Sequence, residues 1–407
     1  MRELPPTAGL PLQWRDFWPL GEGRDSFETA LAKFIGTASV QIECSGTACL
    51  VIALEMLKRI SQRKDVIIPA YTCPLVPMAV QKAGLNVKVC DTQADNFDFD
   101  PDELERLCNK DTLAVVPTHL AGLVTDMTTA CQISRAQGAW IIEDAAHALG
   151  GTFEGRPVGT IGDIGFFSFA SGKGLTLYEG GAMVARDPAV QEALRSTARD
   201  LISWRLDWEL LRLAQLAGYC MFYNPLGLTL TYGFNLRHWL KRGDPVNAAS
   251  ENFTQIPLHK VSAWRKRIGA SALARLPAQL KSNVERGRRR AEQLSHVSGL
   301  KVLSESPATC GTWPAIMVSM ESRQSCNRAL LKLWTSGLGV SKLFVHDLSS
   351  YPYLRGFLGD LQTPKARALA QRTLTVSNSA WVSEEDFGTI KQTLADVLGT
   401  REKVARV

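Results

Sequence analysis

Asp144 and Lys173 are the residues whose types and spacing carry the most chemistry in this chain. Asp144 closes the apolar run AWIIED. Lys173 follows about one strand–helix–strand unit later, in the Gly/Ser turn of GFFSFASGKGL. A buried carboxylate suits a pyridinium nitrogen, and an amine held in a turn suits an aldehyde, with which it condenses to a Schiff base. Pyridoxal phosphate (PLP) needs both. Taken singly, each residue has a plainer reading: Asp144 as a loop or cap residue after a buried strand, Lys173 as a solvated side chain. The ordered pair favours the cofactor once phosphate-binding signals accompany it.

Those signals come from two places. Ser45, Gly46 and Thr47 run directly into CLVIALEML, whose apolar spacing predicts a helix. Ser45 and Thr47 can cap that helix, and Gly46 lets backbone approach an anion. The free N–H groups of a helix start attract phosphate. An ordinary helix cap is the plain alternative. Ser168, just before the Lys173 turn, can bring a hydroxyl to the same phosphate; a buried strand serine is its alternative.

The elements that must position these residues follow from hydrophobic patterning. Short apolar runs (VIIPA, NVKVCD, TLAVVPTH, AWIIED, GFFSF) alternate with helical stretches such as DPDELERLC and TTACQISRAQG. That alternation predicts βαβ units and a mostly parallel sheet. Ligands of such sheets gather where strands give way to loops, and Asp91, His119 and Asp144 all follow strand-like runs. Past about residue 270, helices and short strands predict a smaller α+β part. The expected division is a large cofactor-binding domain over 1–260 and a smaller domain over 261–407.

Composition narrows the class. A chain of 407 residues with 45% apolar content can bury a sizeable core. The net charge of +6 is modest, and nothing resembles a nucleic-acid module. Arg286 to Arg290 read as the exposed face of a long helix, with phosphate or nucleotide binding as the alternative. Nine cysteines without paired spacing suggest reduced thiols in a cytoplasmic protein. No metal-type cluster or HExxH motif occurs, and the first residues lack the pattern of a signal peptide.

One stretch, about 195–260, departs from the rest. No charged residue lies between Arg212 and Arg237, yet Asn224-Pro225-Leu226-Gly227 breaks the stretch into two short apolar arms. Cationic residues flank it over about 205–242, and six Trp and Tyr side chains are spread along it. This predicts an interfacial hairpin on the cytoplasmic leaflet or a groove for a lipid chain. A dimer-interface insertion and an extra buried layer are the alternatives.

The segments CSGTACLVIALEML, DVIIPAYTCP, VVPTHLAGLVTDM, IIEDAAHALGG, VGTIGDIGFFSFASGKGL and EGGAMV resemble the DegT/DnrJ/StrS-type PLP-dependent sugar aminotransferases, in that family's order and spacing. The resemblance implies the PLP-dependent transferase fold type I, aspartate-aminotransferase-like, and a homodimer. It implies that Lys173 binds the cofactor covalently and shuttles the proton, and that Asp144 holds the pyridinium nitrogen. Ser168, Gly46 and Thr47 would bind the phosphate, and His147 the ring face or hydroxyl.

The chain also departs from that pattern. Cys73 stands where the family has an aromatic residue over the cofactor ring; Tyr71, two residues earlier, points to the same side if the segment is extended. His119-Leu120-Ala121-Gly122 lacks the aromatic of the HLYG-like segment. Asn235 resembles the asparagine lent across the dimer but lies too early in the chain. The expected activity is transfer of an amino group, from glutamate by resemblance, to a keto group of a nucleotide-linked or lipid-linked sugar. Elimination or dehydration on the same fold, or a non-catalytic relative, are the other classes.

Overall fold

The computed structural model describes residues 2–18 and 25–399. Each apolar run named above forms a strand of one seven-stranded sheet. Its strands are β1 (Gln41–Glu43), β2 (Asp65–Pro69), β3 (Asn86–Cys90), β4 (Thr112–Val115), β5 (Trp140–Asp144), β6 (Ile164–Ser168) and β7 (Gly181–Ala185). The order is β1-β7-β6-β5-β4-β2-β3. Strands β2 to β6 run parallel, and β7 is antiparallel to both β6 and β1. Both faces are covered, which is why the strands are continuous apolar runs rather than alternating ones; Val66, Ile67 and Ile68 are all fully buried. Parallel strands bring their C-terminal ends to one edge. Asp144 and Ser168, the last residues of β5 and β6, therefore arrive there together.

A second, antiparallel sheet comprises β8 (Leu300–Val302), β9 (Ala315–Met320), β10 (Val340–Ser341) and β11 (Thr373–Ser377), in the order β8-β9-β11-β10. The helix Leu276–Ser295 leads into it. Its arginine cluster corrects the expectation of an exposed face. Arg290 is buried, lies over the Phe387 ring at 5.1 Å and donates to the Val382 carbonyl; Arg286 donates to the Asn378 carbonyl. Arg288 and Arg289 stay outside, paired with Glu305 and Glu384. A spacing of four residues turns Arg286 and Arg290 to one helix face, and here that face looks inward.

The first residues form a strap across the molecule. Leu4 N–H donates to Gly337, Ala8 N–H to Pro314 and Leu10 N–H to Gly174, so the strap ties the second sheet's loops to the turn that carries Lys173.

The 195–260 stretch is a helical hairpin rather than a buried layer. Its first arm is the helix Leu206–Phe222. Asn224 then caps a second arm by accepting from Gly227 N–H. That arm runs through Pro225–Leu228, a π-helical turn at Thr229–Gly233, and Phe234–Lys241. The first arm is fixed by ions: Glu209 receives Arg265 Nε and Nη2 at 2.8 and 2.7 Å, both side chains being buried, and Arg212 pairs with Glu179, which also meets His259. No described helix is long and apolar enough to cross a membrane.

Candidate active site

At the carboxyl edge of the large sheet lies a cavity of about 460 Å³, a size usual for small-molecule sites. Its walls come from both sheets, the strap and the end of the hairpin stretch.

One end is the start of the helix Gly46–Ile60. Ser45 is extended (φ −161°), its hydroxyl accepts from Ala48 N–H at 2.9 Å, and its carbonyl takes Cys49 N–H. The amides of Gly46 and Thr47 are left at the open end of the helix, on the cavity wall. Two glycines seat this helix against the sheet. A Cβ on Gly46 would come within 3.1 Å of Ser168 Cβ, and one on Gly181 would lie 2.4 Å from the Ser45 carbonyl carbon. Ser168, half-buried, faces the same space.

Asp144 stands on the cavity wall, only 3% exposed, with Ala146 N–H donating to Oδ1 at 3.0 Å. Burial raises its carboxyl to about 6, against the opposing pull of the Ala146 bond and the Lys173 charge. Its backbone is fixed on both sides, its N–H donating to Pro117 and its carbonyl accepting from His119. Lys173 projects from the turn after β6, where Gly172 adopts φ +80°. Enclosure lowers its ammonium to about 8, against the opposing pull of the Asp144 carboxylate. The carboxylate and the amine thus share one enclosed space, each within reach of the other's charge.

His147 lines the cavity as a neutral imidazole: its Nδ1 accepts from Ala121 N–H at 3.3 Å, which leaves the proton on Nε2, and burial holds its pKa well below the usual histidine range. Cys73 also lines the cavity, its thiol pushed up to about 12 by burial and therefore neutral. Tyr71 does not line it. Strand β2 ends at Pro69 and the chain bends through Ala70–Thr72, so the alternation of an extended segment does not apply; the Tyr71 ring packs edge-on against Phe344 and its hydroxyl meets the Phe344 backbone. Ser45 acts one step back, as the helix cap. Asn235 lies exposed on the hairpin's second arm, outside the cavity wall.

Several wall residues gave no signal in the sequence. Phe344, whose ring centre is 6.0 Å from that of His147, comes from a loop of the second sheet. Glu251, from the end of the hairpin stretch, accepts from Tyr351 Oη at 2.5 Å and from Val345 N–H, and burial raises it to about 7. Tyr232 reaches the wall from the hairpin itself. Only their remote neighbours in the fold bring them there.

Comparison with known proteins agrees with this architecture. Residues 12–203 match the model of the DegT/DnrJ/EryC1/StrS aminotransferase family. The 3-amino-5-hydroxybenzoate synthase of Amycolatopsis mediterranei is 33% identical over 177 residues, covering 43% of this chain and 45% of that protein. The L-glutamine:scyllo-inosose aminotransferase of Streptomyces griseus is 35% identical over 185 residues, 44% of this chain and 43% of its own length. The match thus spans under half of each of these relatives. A crystal structure of DesI in the presence of its TDP-sugar product superposes with a TM-score of 0.75 at 21% identity, covering 100% of this chain and 95% of that one. The chain has the fold of PLP-dependent transferases of fold type I.

Proposed function

We propose that this protein is a PLP-dependent aminotransferase that moves an amino group from an amino acid such as glutamate to a keto group on a sugar, nucleotide-linked or lipid-linked, and works as a homodimer. The observation that carries this reading is the convergence of Lys173 and Asp144 on one cavity that ends in an open helix start.

The residues present fit the cofactor. Gly46 leaves room where any side chain would press on Ser168, and the Gly46 and Thr47 amides with the Ser168 hydroxyl form a donor set for a phosphate. Asp144 is the buried carboxylate for the ring nitrogen, and His147 Nε2–H is a donor toward the ring. When bound, the cofactor supplies an electrophilic carbon and an electron-withdrawing ring. Lys173 then does the proton work: as a neutral amine it takes the proton from the donor's α-carbon and returns it to the carbon that carries the transferred nitrogen. An ammonium lowered to about 8 gives Lys173 a usable fraction of that free amine near neutral pH. Asp144, charged above about pH 6, holds a proton on the ring nitrogen through an ion pair. The apolar walls, Leu120 and Phe344 among them, keep water from the reacting carbon.

The test is amino transfer itself. Wild-type protein with PLP should release 2-oxoglutarate from L-glutamate and lose the visible absorbance of the bound cofactor. Lys173→Ala should still bind PLP but do neither. Full turnover by Lys173→Ala would overturn the assignment, and an absorbance unmoved by glutamate would point to another donor or to elimination.

A further inference from the structure

The hairpin buries the ion pair of Glu209 with Arg265 and exposes many of its large apolar side chains, while Asp207 with Arg205, Lys241 and Arg242 stay at the surface. Of the fourteen large apolar residues that stand exposed among the described residues, nine lie between 204 and 234. Three more, Trp14, Trp18 and Trp264, sit on or beside elements that touch the hairpin. Trp264 lies in the first turn of the helix Ala263–Leu273, whose Arg265 holds Glu209; Trp14 opens and Trp18 follows the short helix Trp14–Phe17 packed on that same helix, and the Leu12 carbonyl accepts from the Cys220 thiol. On the second arm Leu226, Leu230 and Phe234 recur every four residues and are 74%, 72% and 73% exposed. Monomeric proteins rarely leave so many large apolar side chains of one hairpin in water.

The geometry points to a docking surface for an anionic lipid bilayer. Charge selects this occupant. From residue 210 to residue 243 the chain has no Asp or Glu. Arg15, Lys241, Arg242 and Arg267 stand exposed around the apolar face and form no ion pair among the described residues. Tryptophans at the edge of an apolar face with cations beside them suit the headgroup layer, where an indole keeps one side dry and its N–H wet. A two-fold contact with a second copy would press this cationic rim against itself, whereas anionic headgroups offer the opposite sign. The hairpin lies along the surface without spanning the bilayer, its ionic side locked to the protein by Glu209–Arg265 and Arg212–Glu179. Tyr232, on the second arm, also lines the catalytic cavity, so docking would bring the cavity wall to the lipid surface.

The test is sedimentation of the full chain with vesicles of phosphatidylcholine alone and of phosphatidylcholine mixed with phosphatidylglycerol. Wild type should pellet with the mixed vesicles. Leu226→Glu with Leu230→Glu should weaken that binding roughly a hundredfold, because two exposed side chains lose their apolar burial. Lys241→Ala with Arg242→Ala should weaken binding to the anionic vesicles about fivefold per cation. Circular dichroism and oligomeric state should stay unchanged, since all four side chains lie on the surface. Failure of the wild type to pellet with anionic vesicles overturns the proposal. So does a wild-type dimer that the Leu226→Glu, Leu230→Glu variant splits, because a second copy would then cover the face. Lys173→Ala should bind vesicles like wild type, which separates this surface from the chemistry of the cavity.

Discussion

The cavity and the hairpin sit side by side with opposite polarity. Around the cavity an apolar sheet delivers a few polar groups to an enclosed space: Asp144 and Ser168 arrive from the ends of strands whose other side chains are mostly core, and Lys173 from the turn that follows. In the hairpin the polar groups are clamps, Glu209 and Arg265 buried against each other, and apolar residues face outward. Both regions break the rule that charge lies outside and grease inside, but in different ways. In the cavity a carboxylate and an amine are held with their usual proton affinities displaced toward each other, to about 6 and about 8. In the hairpin the buried ions are paired and inert, while the outer face carries the exposed apolar side chains with Lys241 and Arg242, which have no ion pair among the described residues.

This contrast predicts what substitution does on each side. The largest effect belongs to the cavity: Asp144→Asn should lower turnover by roughly 10²–10⁴-fold while leaving the unfolding midpoint nearly unchanged. Steady-state kinetics beside a thermal melt check this, and a variant that merely unfolds would show the carboxylate to be structural. The converse applies in the hairpin. Glu209→Ala leaves the Arg265 charge buried without its partner and should cost about 3–5 kcal/mol in urea unfolding, most of it recovered when Arg265→Met is added. Recovery failing in the double variant would show that Arg265 matters chiefly for the carbonyls of Leu177 and Glu179, to which it also donates.

A smaller effect sharpens the join between helix and sheet. Gly181→Ala drives a methyl into the Ser45 backbone and should cost about 1–3 kcal/mol and weaken PLP affinity, read by a cofactor titration. An unaltered affinity would mean that the helix start can shift without disturbing the phosphate donors. The mildest test leaves the sequence intact. Only the neutral amine reacts with an acylating reagent, so labelling of Lys173 in the cofactor-free protein should rise with pH and reach half its plateau at about 8, ahead of lysines with the ordinary value of 10.5. Peptide mass spectrometry across pH reads this; a Lys173 that tracks the surface lysines would show the cavity to be wetter than its walls imply.

What the sequence made legible was local. Strands β2 to β6 could be read because a parallel sheet covered on both faces writes itself as unbroken apolar runs. Asp144, Ser168 and Lys173 could be placed because each follows directly from such a run. Gly46 and Thr47 were visible as a helix start. Legibility ended where position depends on a partner far along the chain. Phe344 and Glu251 reach the cavity only because one loop meets another about ninety residues away, where Tyr351 O–H and Val345 N–H donate to the Glu251 carboxylate. Tyr71 misled because alternation holds only while a strand continues, and this one stops at Pro69. The arginine run misled in the same way: a helix fixes which arginines share a face, but the packing of Phe387 and Val382 decides that the face of Arg290 is the inner one.

The strap has a mechanical consequence. Gly9 N–H donates to the Tyr223 hydroxyl, that hydroxyl donates to the Thr7 carbonyl, and the Thr7 hydroxyl donates to the Gly172 carbonyl, one residue before the lysine. A Cβ on Gly9 would stand 2.8 Å from Tyr223 Oη and 3.2 Å from the Lys173 carbonyl, so no side chain fits between them. Hairpin, strap and lysine turn are therefore coupled in series with no slack, and a tug on Tyr223 is a tug on the backbone that aims the amine.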